Sequence, residues 1–545
     1  MNPRASGMLL HLTSLPNSYP IGDLGPSAIA FLDFMVKGGQ RWWQMLPIGP
    51  TGEDASPYQS LSAFAGNSLL ISLDRLVEQG LLDRKDIALP VAGREGRVDY
   101  PAATWLKARC LRMAFEHFDT DRHGGRQSEV DAFVRAESHW LEDYSLFLAI
   151  QASEGTSDWT QWKQELRTRR PDAIIRTQEH FAGDIRFHQF VQWQFSVQWR
   201  EFRAECMANG IWLIGDVPLF VSHQSADVWA HPELFKLDAE GNPTVVAGVP
   251  PDYFSRKGQV WGVPVYRWQE LQRQSYEWWI QRLRMAFTRF DANRLDHFIG
   301  YVRTYEVPAQ AKTAEEGQYR PAGGDALFEA LRKALGTLRL IADDLGAITP
   351  EVTALRDKLQ IPGTRVLQFE FGSSLGLNPV PPERLSTASV VYTGTHDNDT
   401  TAGWYRTLPG TQRRTLQGRL RANSGDVVWA MIHDALASNA DTAILPVQDL
   451  LELGPEARMN TPGITKGNWQ WRLEDGALTL DLAQRLRGMT EATGRLTGVA
   501  NLSPSPTPSI KHQAFEPYEP RGCENGQTAQ HPVNGEREFG VEAKR

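Results

Sequence analysis

Short apolar runs recur along the chain and alternate with stretches in which apolar side chains return every three or four positions. The runs read as buried strands and the longer spacing as helices with one apolar face. Met8 to Leu12 is the first expected strand. Pro26 then opens a helix whose Ile29, Leu32, Met35 and Val36 share a face until Gly38-Gly39 ends it. Trp42 to Ile48 is the second strand, and this order and spacing predict a parallel βαβ unit. From Thr51 to Gly210 the alternation stops, leaving loop signals and helical periodicity such as Phe187, Phe190, Val191 and Phe195. Strands resume at Trp212 to Val217, Phe290 to Leu295, Leu340 to Asp343, Arg365 to Phe371, Ser389 to Tyr392 and Ala443 to Val447. Helices such as Tyr276 to Phe287 and Ala326 to Leu335 lie between them. The pattern predicts the α/β class, a (β/α)8 barrel with large helical insertions on its catalytic face.

The barrel is expected to occupy residues 1–500, with insertion subdomains over about 51–210 and 218–288. Beyond it, Ser503-Pro504-Ser505-Pro506-Thr507-Pro508 opens a polar stretch without apolar periodicity, so residues 501–545 are expected to be a disordered tail.

Composition narrows the partners. A chain of 545 residues with 41 % hydrophobic and 22 % charged residues suits a globular protein with a large core. A net charge of −8 argues against a nucleic-acid or anionic-membrane surface, which needs clustered basic groups. No apolar run approaches the roughly 20 residues that span a bilayer, and Met8-Leu9-Leu10 is too short for a signal-peptide core. A cytoplasmic location is therefore expected. Cys110, Cys206 and Cys523 are far apart and read as free thiols. The 18 Trp residues belong first to the core; their number leans only slightly toward a carbohydrate, whose apolar faces stack on aromatic rings.

The candidate chemistry lies where apolar strands end in acids. The first such place is Arg294-Leu295-Asp296-His297-Phe298. In the second, Leu340-Ile341-Ala342 runs into Asp343-Asp344-Leu345-Gly346, and in the third, Val390-Val391-Tyr392 precedes Thr395-His396-Asp397-Asn398-Asp399. Side chains at the carboxyl ends of barrel strands converge on one rim, so Asp296, Asp343 and Asp397 are expected to meet there. Carboxylates without a Cys/His cluster or a glycine-rich phosphate loop point to glycosidic-bond chemistry, in which one attacks the anomeric carbon and another donates a proton. Arg294, two residues before Asp296 and on the same strand face, is expected to hold that carboxyl ionised. Each acid also has a structural reading: Asp296 with Arg294 as a buried ion pair, Asp397 or Asp399 as a helix cap, and Asp344 as a packing partner. His396-Asp397 and Asp296-His297 fit no zinc spacing, so neither metal nor cofactor is expected.

These residues and their surroundings resemble the 4-alpha-glucanotransferases called amylomaltase or disproportionating enzyme, glycoside hydrolase family 77. The resemblance covers about residues 4 to 495. Its carriers are Leu15-Pro16 with Ile21-Gly22-Asp23-Leu24-Gly25, Ser56-Pro57-Tyr58-Gln59-Ser60 with Ala63-Phe64-Ala65-Gly66-Asn67, and Gly248-Val249-Pro250-Pro251-Asp252-Tyr253-Phe254-Ser255. Arg294 to Phe298, Thr395-His396-Asp397-Asn398-Asp399-Thr400 and Arg458-Met459-Asn460-Thr461-Pro462-Gly463 complete it. It implies a barrel without a C-terminal β-domain and transfer of glucan segments to 4-hydroxyl acceptors. The partners implied are maltooligosaccharides or glucans derived from starch or glycogen, with glucose as an acceptor.

By the same resemblance Asp296 is the nucleophile, Asp343 stands at the acid/base position, and Asp397 with His396 holds the sugar in subsite −1. Arg294 matches the arginine beside the nucleophile. Tyr58, Gln259 and Trp261 match residues that line the glucan subsites. The Gly248 to Ser255 stretch, with Asp252, matches a mobile lid. The chain departs from the family where Asp343 replaces a Glu, Val260 an Arg, Val263 an Asn, Ile299 an Arg and Gln224 an Asp. Glu370 is an acid where a small residue is usual, and a candidate substitute proton donor. Two other readings stand beside transfer: a glucan-binding or regulatory protein with impaired chemistry at Asp343, and an alpha-glucan hydrolase.

Overall fold

The computed structural model describes residues 4–52, 54–88, 96–120, 126–251, 256–371 and 382–496. Twelve strands form among them: β1 (Ala5–Leu9), β2 (Trp42–Gln44), β3 (Trp212–Val217), β4 (Val245–Val249), β5 (Gln259–Pro264), β6 (Ala292–Leu295), β7 (Arg303–Pro308), β8 (Gln318–Pro321), β9 (Leu340–Ala342), β10 (Gly363–Val366), β11 (Ser389–Tyr392) and β12 (Thr442–Pro446). Eight of these, β1, β2, β3, β6, β9, β10, β11 and β12, pair in chain order and close into a barrel, with β1 parallel to both β12 and β2. The expected (β/α)8 barrel is the fold observed.

Apolar runs make the barrel strands because parallel strands are covered on both faces. Every residue of β1 and β12 is buried. Gly7 is required by contact, since a Cβ there would lie 2.1 Å from the Trp42 carbonyl oxygen of β2. The helix Pro26–Lys37 starts with proline in its first turn. Its end is turned by Gly39 at φ +71°, a left-handed conformation that glycine adopts without a Cβ clash.

Strand positions agree with the sequence pattern at β3 and β11 and shift elsewhere. The first strand begins at Ala5 rather than Met8, and the sixth barrel strand is Gly363–Val366. Residues Leu367–Phe371, expected to continue that strand, form a short helix instead. Between β2 and β3 lie helices including Tyr100–Thr120, Ser138–Glu154 and Ala182–Ala208. The last of these buries Phe187, Phe190, Val191 and Phe195.

A second sheet, ordered β5-β4-β7-β8 and antiparallel throughout, was not visible in the pattern. It draws on chain both before and after β6, which brings β5 to the catalytic side of the barrel. No strand follows β12 among the described residues. The expected tail and Cys523 lie outside the described residues, while Cys110 and Cys206 are buried free thiols. No described helix is long and apolar enough to cross a membrane.

Candidate active site

Register builds the centre of the site. In the parallel ladder, Asp216 of β3 is the partner of Arg294 of β6, and Leu295 is the partner of Ala342 at the end of β9. Residues two apart on a strand share a face, so Asp296 projects with Arg294 toward the barrel axis. The ladder continues past the strand ends: Asp296 N–H donates to Val217 O at 3.0 Å, Asp343 N–H to Leu295 O at 3.1 Å and Phe298 N–H to Asp343 O at 3.0 Å. Three acids from three strands thus surround one arginine.

The guanidinium of Arg294 is the hub. Its Nη1 donates to both carboxylate oxygens of Asp216 at 2.8 and 2.7 Å and to Asp296 Oδ1 at 3.0 Å, and its Nη2 donates to Asp343 Oδ2 at 2.8 Å. The His297 N–H adds a second bond to Asp343 Oδ2 at 3.1 Å. His297 sits at φ +50°, a strained backbone for a non-glycine residue, and the turn it makes aims that N–H. Asp343 Oδ1 is buried and accepts no hydrogen bond.

Exposure separates the acids. The Asp216 side chain is fully buried, whereas Asp296 keeps 27 % and Asp397 43 % of the side chain open, so only the latter two present much surface to the cleft. Arg294 does pull the Asp296 carboxyl down, as expected, but it does not prevail. Burial is the largest influence and pushes Asp296 well above the usual aspartate value; Arg294 opposes it, and Asp216, Asp343 and Asp397 add to it. One cation serving three acids cannot neutralise each of them. Asp216 is also raised, by burial first. The His297 imidazole is lowered to about 4 by burial and is neutral near pH 7.

Asp397 joins through a second network. His396 Nε2 lies 3.4 Å from Asp397 Oδ1 and 2.9 Å from Tyr58 Oη, and Tyr58 Oη donates to Asp216 Oδ2 at 2.8 Å. The Tyr58 and His396 rings stack with centroids 5.3 Å apart. Asn460 Nδ2 donates to Asp397 Oδ1 at 2.6 Å. Gln259 and Trp261 stand on β5, with Trp261 Nε1 donating to Gln259 Oε1 at 3.3 Å. The Trp261 ring meets that of His297 edge-on at 4.8 Å. Asp252 lies outside the described residues. Among the described residues no group of His, Cys, Asp or Glu could hold a metal ion.

A profile of the 4-alpha-glucanotransferases, glycoside hydrolase family 77, matches residues 10–479. The chain belongs to this family. It is 47 % identical over 503 residues to the 4-alpha-glucanotransferase of Thermus thermophilus, covering 91 % of this chain and 99 % of that one. A chloroplastic/amyloplastic 4-alpha-glucanotransferase of Arabidopsis thaliana is 39 % identical, with 90 % of this chain and 86 % of that one covered. The amylomaltase of Streptococcus agalactiae, solved with acarbose, superposes with a TM-score of 0.87 at 34 % identity, covering 90 % of this chain and 100 % of that one.

Within the family fold, the structural readings of the acids also find places. Asp344 is buried, bridges to Arg356 at 2.6 Å and accepts the Thr364 N–H at 2.8 Å, so it is a packing residue. The helix Thr401–Thr407 is capped by Thr400 rather than by either aspartate. Of the departures from the family pattern, Val263 and Ile299 are buried and Val260 is exposed beside Trp261. Gln224 is exposed and accepts from Ser157 Oγ at 3.2 Å. Glu370 is half-buried on the helix Leu367–Phe371. Asp216 and Trp469 were missed. Asp216 is the penultimate residue of an apolar strand, so looking for acids within the ends of such strands, as well as just past them, finds it at Trp212–Val217. Trp469 carries no local signal.

Proposed function

We propose that this chain moves segments of 1,4-alpha-glucan to a 4-hydroxyl acceptor by a retaining double displacement, with maltooligosaccharides or starch- and glycogen-derived glucans as donors and glucose among the acceptors. Asp296 attacks the anomeric carbon as the bond to the departing 4-oxygen breaks, and Asp343 gives that oxygen its proton. An acceptor 4-hydroxyl then attacks the glucosyl-Asp296 ester, its proton passes to Asp343, and the Asp296 carboxylate is released. Asp397 with His396 holds the reacting sugar; Tyr58, Gln259 and Trp261 line its path.

The observation that carries this reading is the placement of Asp296 and Asp343 on the two arms of one guanidinium, 3.0 and 2.8 Å from its nitrogens. Retention needs two carboxyl groups about 5–5.5 Å apart, closer than inversion allows. The 4-alpha-glucanotransferase relatives and the acarbose-bound amylomaltase support the substrate class.

Incubation with maltotriose tests the reading. The expected products are glucose and a ladder of longer maltooligosaccharides. Glucose and shorter chains without elongation would make the chain a hydrolase. No product at high enzyme concentration would leave a glucan-binding protein.

A further inference from the structure

Two non-glycine residues beside the site have left-handed backbones: His297 at φ +50° and Trp469 at φ +64°. Trp469 is held by hydrogen bonds from segments outside the barrel strands. Its N–H donates to Met459 O at 2.8 Å, and its carbonyl accepts from Tyr100 Oη at 2.9 Å. Burial raises the Tyr100 phenol far above its ordinary value, so Tyr100 remains a donor across the working pH range.

Tyr100 opens a helix of the segment between β2 and β3. The residues just before it pair with those just after Trp469: Val98 N–H donates to Gln470 O at 2.8 Å, Arg472 N–H donates to Gly96 O at 3.2 Å, and Arg97 and Trp471 form an antiparallel bridge. This short ribbon ends at Trp469. The buried indole lies 5.8 Å from the Tyr58 ring and 6.0 Å from that of His396, the pair that reaches Asp216 and Asp397.

We propose that Trp469, clamped in a left-handed conformation by Tyr100, is a positioning residue that fixes the Tyr58–His396 pair and through it the carboxylates. This deepens the transferase reading and rests on it. The indole braces two rings whose polar atoms must keep hydrogen-bond distances of 2.8 and 2.9 Å. Packing restricts both rings to one rotamer, and a loose pair would let Asp397 drift from the sugar.

The test compares maltotriose kinetics of the whole protein with those of Trp469→Ala, Trp469→Gly, Trp469→Phe and Tyr100→Phe. Because a shift of about 1 Å in a catalytic group costs on the order of a hundredfold, Trp469→Ala is expected to lose roughly that in kcat while KM stays within about twofold. Trp469→Phe recovers most of the rate. Trp469→Gly, which relieves the backbone but removes the ring, does not. Tyr100→Phe, remote from the sugar and losing one hydroxyl, lowers kcat by about tenfold on the same scale with an unchanged melting temperature. A rise in KM at constant kcat would make Trp469 a substrate contact and overturn the proposal; so would full activity in Trp469→Gly or Tyr100→Phe. A wild-type protein that makes no transfer products fails the transferase reading instead, which separates the two.

Discussion

Arg294 divides one positive charge among Asp216, Asp296 and Asp343, and the chemistry of this site follows from that shortage. An attacking Asp296 must be ionised, yet burial and the neighbouring acids raise its carboxyl. As pH falls through the raised value Asp296 takes up a proton and attack stops. The acid limb of kcat/KM is therefore expected above the ordinary aspartate value of about 3.9, and a limb at or below it would contradict the charge balance. The second acid on Arg294 is Asp343. Its side chain is one methylene shorter than the family's glutamate, and its Oδ2 is drawn back onto Arg294 and His297. Asp343→Glu is expected to raise the initial rate of maltotriose transfer by about tenfold or more, by restoring roughly 1 Å of reach. With an alpha-maltosyl fluoride donor, whose leaving group needs no proton, glucosylation rates of the two proteins should agree. A loss of rate with maltotriose would show that the site is built around the shorter acid.

At the scale of elements, the Asp216–Arg294 pairing between β3 and β6 is both a structural tie and the mount of the site. Removing Asp216 leaves a buried guanidinium without its main partner, a change that costs on the order of 3–5 kcal/mol. Asp216→Ala is expected to lower the apparent melting temperature and to slow transfer together. Differential scanning calorimetry beside the maltotriose assay checks this; a loss of activity alone would place Asp216 in contact with the sugar. Most barrel strands were legible as compact apolar runs, and Asp296 and Asp343 were legible because they follow such runs directly, with Asp397 a few residues beyond β11. The side sheet was not: β8, Gln-Tyr-Arg-Pro, is largely exposed and finds its partner β7 only through tertiary pairing. In Leu367–Phe371 the alternation of Leu367, Phe369 and Phe371 imitates a strand, but the segment folds as a helix, and Gln368 Nε2 donates to Asp399 O at 2.9 Å. Trp469 was unreadable for a similar reason, since its role depends on Tyr100, far away in the chain.

Over the whole molecule, the barrel has a catalytic pole and a closing seam at the opposite end. Where β1 begins beside β12, the fully buried Arg495 donates from Nη1 to Ala5 O at 2.8 Å and to Asp441 O at 3.1 Å, and from Nη2 to Ala440 O at 2.8 Å. Among the described residues no acid forms an ion pair with it, and burial lowers it to about 9. Arg495→Met strands several carbonyls, at about 1–3 kcal/mol for each one left unsatisfied. The variant should melt earlier, while kcat at 25 °C stays within about twofold because the seam is remote from the rim. Melting without change would mean that water replaces the guanidinium. Most of the tryptophans fill the cores, while Trp261 packs against His297 and Trp469 against His396.

In the proposed double displacement Asp296 carries the sugar covalently while Asp343 handles the proton. Asp343→Asn, given alpha-maltotriosyl fluoride, should release fluoride without acid help yet pass the sugar on slowly, because the base for the acceptor is gone. Peptide mass spectrometry of the acid-quenched mixture should then find a maltotriosyl increment on the peptide that contains Asp296. Fluoride release with an unmodified Asp296 peptide, or the increment on another acid, would contradict the account.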